Sequence, residues 1–138
     1  MPSKLLEASV RHQPSVAIVD LHGEINAFAE AVLNAAYEEA ESRTSDVILL
    51  NFTDVDYINS TGIALIVSLL ARARKNHRRL LACGLSPHYV EIFQITRLAD
   101  FMNVYPNEGS ALSSEHVQIE PRETEPVDLT LSRELPER

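Results

Sequence analysis

The sequence predicts an α/β fold: a sheet of four to five strands, at least partly parallel, with helices covering it, in one compact domain. Three observations carry that expectation. Two short continuous apolar runs, "DVILLNF" (46–52) and "RRLLACGL" (78–85), have the make-up of strands buried on both faces. Segments with apolar residues at helical intervals alternate with such runs. The chain has 138 residues, 45 % apolar and 23 % charged, enough for one core but not two.

The elements follow in order. "EASVRH" is a candidate first strand. "SVAIVDLHG" (15–23) puts Val16, Ile18 and Asp20 on one face and Ala17, Val19 and Leu21 on the other, closing at Gly23, which suits a second. In "AFAEAVLNAAYEEAESR" (27–43), Phe28, Val32, Ala35, Ala36 and Ala40 recur at helical spacing with glutamates opposite, predicting an amphipathic helix. The strand at 46–52 comes next, then "TDVDYINS" as a short connection. "GIALIVSLLARARK" (62–75) returns to helical spacing, with Ile63, Ile66, Val67 and Leu70 on one stripe. After the strand at 78–85, "SPHYVEIFQITRL" (86–98) opens with Ser86 as N-cap and Pro87 at the first helical position, followed by Val90, Phe93 and Ile95. "MNVYP" is a last strand.

Charge divides the chain in two. Residues 1–106 carry nine Lys or Arg against twelve Asp or Glu, a net of −3, and residues 107–138 carry three against eight, a net of −5. The second stretch has three prolines, no aromatic residue, no sustained helical or alternating period, and too little apolar area to offset ordering entropy. The expectation is a folded domain over 3–106 and an acidic, unstructured tail over 107–138.

Several function classes find no support. No apolar stretch is long enough to span a bilayer and no secretory leader is visible, so the expected location is the cytoplasm, with no direct membrane insertion. The single cysteine, Cys83, excludes an internal disulfide and lies in an apolar run typical of inert core. His12, His22, His77, His88 and His116 are scattered without metal-ligand spacing, and the four glycines never cluster into a phosphate cradle, so neither a metal nor a cofactor is expected. The basic run "RARKNHRR" lies at a helix C-terminus, where cations complement the dipole; without interleaved aromatics it does not point to nucleic acid.

The informative stretch is "DYINSTGIAL" (56–65), where a strand-like run gives way to a helical one across Asn59, Ser60, Thr61 and Gly62. A helix start leaves backbone N–H groups without partners, and Asn59 or Ser60 can serve as N-cap. The same free amides and the positive end of the helix dipole welcome an anion or a phosphorylated hydroxyl, and Ser60 sits where such a phosphate would meet them. Gly62 is expected to leave room for a partner to approach that hydroxyl. Ser60 followed by Gly62 is half of a nucleophile elbow, but Ile58 replaces its first glycine and no histidine has an evident partner acid, so hydrolase chemistry is not expected.

These residues resemble the STAS domains, and within them the anti-sigma factor antagonists of bacteria. "INSTGIA" matches the family's Asp-Ser-Ser/Thr-Gly-Leu-Gly helix opening at Ser60, Thr61 and Gly62. "LHGEIN" resembles its Gly-Glu-Leu-Asp turn, "VILLNFTDVDYI" its central strand, and "LLACGLSPHYVEIFQITRLADFMNVYP" its closing strand, helix and strand. The likeness covers roughly residues 5–106 in the right order.

The resemblance implies a mixed sheet and a regulatory protein without catalytic activity. Antagonists of this family bind an anti-sigma factor that is also a serine kinase of the histidine-kinase ATPase fold. That kinase phosphorylates the antagonist, and a metal-dependent serine phosphatase reverses the step. By position the phosphoacceptor is Ser60, with Thr61 as the less favoured neighbour. The implied partner-binding face comprises Asn26, Asp56 to Asn59, Ser60, Thr61, Gly62 and the exposed side of the next helix, with Ser68, Arg72 and Lys75. Asn26 and Asn59 stand where the family has aspartates. They shift the chain toward a second possibility, a STAS scaffold of a stress-sensing complex or a cytoplasmic accessory of a lipid or anion transporter.

Overall fold

The computed structural model describes residues 4–43 and 45–119, with side chains through residue 114. The chain divides into two compact units, one ending at Glu108 and the other starting at Gly109. The first holds a five-stranded sheet: β1 (Glu7–Gln13), β2 (Val16–Ile25), β3 (Val47–Ile58), β4 (Arg79–Cys83) and β5 (Asn103–Tyr105), arranged in that order. β1 and β2 form an antiparallel hairpin, whereas β2, β3, β4 and β5 pair in parallel. The predicted mixed sheet is borne out.

Each parallel step needs a crossover, and α1 (Glu30–Glu41), α2 (Ser60–Lys75) and α3 (Pro87–Ile95) supply the three. Right-handed crossovers that advance in one direction place their helices on one face of the sheet. Ala17, Val19, Leu21, Ile48, Leu50, Leu80 and Ala82 form a single apolar core with Leu33, Tyr37, Ile66, Leu69 and Phe93 of those helices. Phe93 meets Phe52 edge-on at 6.1 Å between ring centroids. Val16, Ile18, Val47, Leu49, Leu81 and Cys83 alternate with the strand residues of that core and are also buried, which explains the continuous apolar runs.

A polar row crosses the strands at Asp20, Asn51 and Cys83, which are register partners. Arg11 donates two hydrogen bonds to Asp20, at 2.6 and 3.0 Å, and another at 2.6 Å to Glu108; Asn51 Nδ2 donates to Asp20 at 2.8 Å. The Arg11 hydrogen bonds draw the Asp20 carboxyl below its ordinary range. Cys83 lies at the other end of the row, fully buried, and burial first, then the Glu108 and Asp20 carboxylates, push its thiol from 9.0 to about 11. It is therefore protonated at neutral pH. A thiol-alkylating reagent is expected to spare native Cys83 and to label it fully once urea unfolds the chain, read by mass spectrometry. Because folding raises this pKa, the associated stability is complete below 9.0 and is lost as pH climbs through about 11.

The structure corrects four expectations. β3 runs to Ile58, so "TDVDYI" is strand rather than connection, and Asp56 lies on it. The cause is tertiary: β2 continues alongside, pairing His22 with Asp54, Gly23 with Val55 and Ile25 with Ile58, and ladder bonds outweigh the poor strand propensity of aspartate. The first helix begins only at Glu30. Asn26 caps a preceding 3₁₀ turn (Ala27–Ala29), which leaves Phe28 78 % exposed instead of packed. Val67 and Ile95, assigned to apolar stripes, are also exposed, because the buried side of α2 is Ile66, Leu69, Leu70 and Ala73 and α3 buries Tyr89 and Phe93. The tail expectation fails at its start: α4 spans Glu108–Ile119, with Glu108 in the first turn where the dipole favours an acid. Residues 120–138 lie outside those described. Among the described residues no helix is long and apolar enough to cross a membrane.

Candidate functional site

The parallel pairing of β2 with β3 ends at Ile25 opposite Ile58, so the residues that follow, Asn26 and Asn59, leave the sheet side by side. The Asn59 N–H donates to the Ile25 carbonyl at 3.2 Å, which ties the two strand ends together. Both asparagines then do the same local work. Asn26 Oδ1 accepts from the Phe28 N–H at 2.9 Å, and Asn59 Oδ1 accepts from the Gly62 N–H at 2.8 Å. Asn59 is thus the N-cap of α2, in extended backbone with φ −95°, and Ser60 is the first helical residue. An asparagine amide caps as well as a carboxylate does, without its charge.

That division of labour releases the hydroxyls. Ser60 and Thr61 are both exposed at the mouth of α2. Gly62 is buried, and its role differs from the expected one. A Cβ built there would stand 2.1 Å from the Ile25 carbonyl oxygen, so the missing side chain admits the end of β2, not a partner. Behind the junction, the Tyr89 hydroxyl of α3 accepts from the Ile58 N–H at 2.9 Å, which holds the strand end from the core side.

At 100° per residue, Ser60, Ala64, Val67, Ser68 and Ala71 share one side of α2, and all are exposed. No charged residue occurs in α2 before Arg72. Surface helices ordinarily carry charge on the solvent side, so a small, uncharged stripe beside a free hydroxyl has the character of a docking face. Phe28 (78 % exposed), Tyr57 (50 %) and Val67 (46 %) belong to the same end or the same stripe; Tyr57 falls within the expected Asp56 to Asn59 stretch, whereas the sequence reading places Phe28 and Val67 on buried helix faces. A signal existed for two of them. Val67 stands seven residues after Ser60, and Phe28 follows an Asn cap too closely to lie inside a helix.

The remaining candidates separate. Asp56 is exposed and pairs with Lys4 at 3.2 Å, while His22 meets Asp54 at 3.3 Å nearby. Ser68 and Lys75 are exposed on α2. Arg72 is engaged internally: it donates to Glu41 at 3.0 Å and lies 4.9 Å above the Tyr37 ring, binding α2 to α1. Burial first, and then Glu41, push the Tyr37 phenol above its ordinary range. Arg72→Ala is accordingly expected to cost about 1–2 kcal/mol in urea unfolding. The double variant with Glu41→Ala should cost less than the sum of the singles.

Among the described residues, no cluster of His, Cys, Asp and Glu is placed to hold a metal ion. The Ser60 region instead offers two exposed hydroxyls, Ser60 and Thr61, beside a small, uncharged stripe, a combination suited to a protein partner.

Comparison with known proteins agrees with the fold. A family model described as the STAS domain matches residues 7–111. The anti-sigma-B factor antagonist of Listeria monocytogenes is 30 % identical over 87 residues, covering 63 % of this chain and 76 % of that protein. Among solved structures, an anti-sigma factor antagonist from Mycobacterium paratuberculosis has a TM-score of 0.69 at 17 % identity, covering 79 % of this chain and 92 % of that one. A sulfate transporter family protein from Wolinella succinogenes has the same TM-score at 18 % identity, covering 80 % and 93 %. Likenesses at such identities reach the fold and no further. The family match extends over the whole sheet and the Ser60 junction, and on that basis the chain belongs to the STAS domain family.

Proposed function

We propose that this chain is an anti-sigma factor antagonist working by partner switching. It binds an anti-sigma factor that is also a serine kinase, through the Asn26 turn, the end of β3 and the uncharged stripe of α2. The single observation that carries this reading is the exposed Ser60 hydroxyl at the start of α2, beside that stripe. The sequence relative bearing the antagonist name supports it. The Ser60 oxygen forms a bond to the γ-phosphorus of ATP as the bond to the departing ADP breaks, and the hydroxyl proton passes to a base on the kinase. Hydrolysis by a metal-dependent serine phosphatase restores the hydroxyl.

Asn26 and Asn59 favour one second reading, a non-phosphorylated scaffold or transporter accessory, because two family carboxylates beside the acceptor are missing. One experiment separates the two. Incubation with candidate anti-sigma kinases and ATP, followed by site-resolved mass spectrometry, is expected to place one phosphate on Ser60. Tight binding with no phosphate, or phosphate only elsewhere, would favour the scaffold.

A further inference from the structure

The opposite end of α2 carries a second surface of different chemistry. Fourteen residues separate Ser60 from Arg74, about 21 Å along the helix axis. There, beside the first residues of β4 and β5, lies a cleft of about 180 Å³ lined by Leu70, Arg74, Arg79, Leu81, Phe101 and Asn103, with Arg78 at its wall. Phe101 is 57 % exposed, and the Arg74 guanidinium lies 5.3 Å over its ring.

Cations at a helix C-terminus have an ordinary use in offsetting the dipole, and two of those here are already engaged. Arg72 is taken by Glu41, and Arg78 donates to the Ser45 carbonyl at 2.6 Å. Among the described residues, neither Arg74 nor Lys75 has a carboxylate within 4.0 Å. A guanidinium stacked on an aromatic face keeps its edge donors open and is pre-organised to grip a carboxylate with two bonds. Next to it, the exposed Phe101 ring supplies apolar surface. This cationic corner belongs to a stretch, residues 1–106, whose net charge is −3.

We propose that this cleft is a second docking surface, taking an acidic polypeptide segment of a partner protein, with one carboxylate on Arg74 and an aliphatic or aromatic side chain against Phe101. Charge complementarity selects the acid, and a cavity the size of a side chain selects a peptide over a nucleic-acid groove. The surface is separate from the Ser60 face, so both can be occupied together.

The test uses the full chain and a fluorescently labelled peptide in which a leucine is flanked by pairs of glutamates, with a glutamine version as control. Anisotropy should show binding of the glutamate peptide alone, weakening with salt, and nitrogen-15 amide shifts should centre on Arg74, Arg79, Phe101 and Asn103. Arg74→Glu should weaken binding about tenfold or more, and Arg74→Gln by less, with both variants melting like the parent. Ser60→Asp should bind the peptide as the parent does, which keeps this test independent of the antagonist reading. Absence of binding, or shifts centred on Ser60 and Phe28, would overturn the proposal. So would tighter binding of a single-stranded oligonucleotide, or self-association that Arg74→Glu abolishes.

Discussion

Ser60→Asp is expected to weaken binding to the cognate anti-sigma factor by about a hundredfold, roughly 2.7 kcal/mol, while Ser60→Ala leaves it within about twofold. The contrast follows from where the hydroxyl stands. Ser60 is exposed and is not the cap of its helix, since Asn59 makes the bond to the Gly62 N–H. Removing its oxygen therefore costs the fold nothing. A carboxylate at the first helical position is favoured by the dipole, so Ser60→Asp should melt at or slightly above the parent temperature. The loss must then arise at the interface, where a partner fitted to an uncharged stripe would have to desolvate an unpaired charge. Phosphate, with about −1.5 to −2 charges, should do the same more strongly. Isothermal titration calorimetry of the two variants, with thermal melts alongside, gives the result. Equal affinity for Ser60→Asp and Ser60→Ala would remove the switch.

The sequence disclosed the site better than it disclosed what surrounds it. Asn59 and Ser60 were legible as a helix start because capping is local chemistry, decided within four residues. The buried strands were legible because both faces of β3 and β4 are covered, which leaves continuous apolar runs. The extension of β3 through Asp54 and Asp56 was hidden because its cause lies in β2, some thirty residues upstream. Phe28 misled for a related reason: it fits a helical period, but the Asn26 cap and its 3₁₀ turn rotate it outward. Arg72 looked like an exposed partner residue because its charge says nothing of Glu41 and Tyr37, which α1 brings against it. In α4, serines and glycine dilute any helical period, so a tail reading followed from composition where a helix forms.

Gly62→Ala should lower stability by about 3 kcal/mol and the melting temperature by roughly 10–20 °C. The added Cβ would lie 2.1 Å from the Ile25 carbonyl oxygen and 2.8 Å from the carbonyl carbon. Those are backbone atoms at the end of a paired strand, so they cannot swing aside as a side-chain tip would. The Ile25 carbonyl also accepts the Asn59 N–H, and Asn59 in turn caps Gly62. Relieving the clash by moving α2 outward stretches both bonds and unseats the Ser60 helix start. The same variant should therefore lose partner affinity even below its melting temperature, in contrast to Ser60→Ala. Ala64, two residues on and exposed on the opposite side of α2 from this contact, provides the control, since Ala64→Ser should change the melt by only a few tenths of a kcal/mol. A Gly62→Ala protein that melts with the parent would mean that the helix start has slack, and that Ser60 is not held in one place for a partner to read.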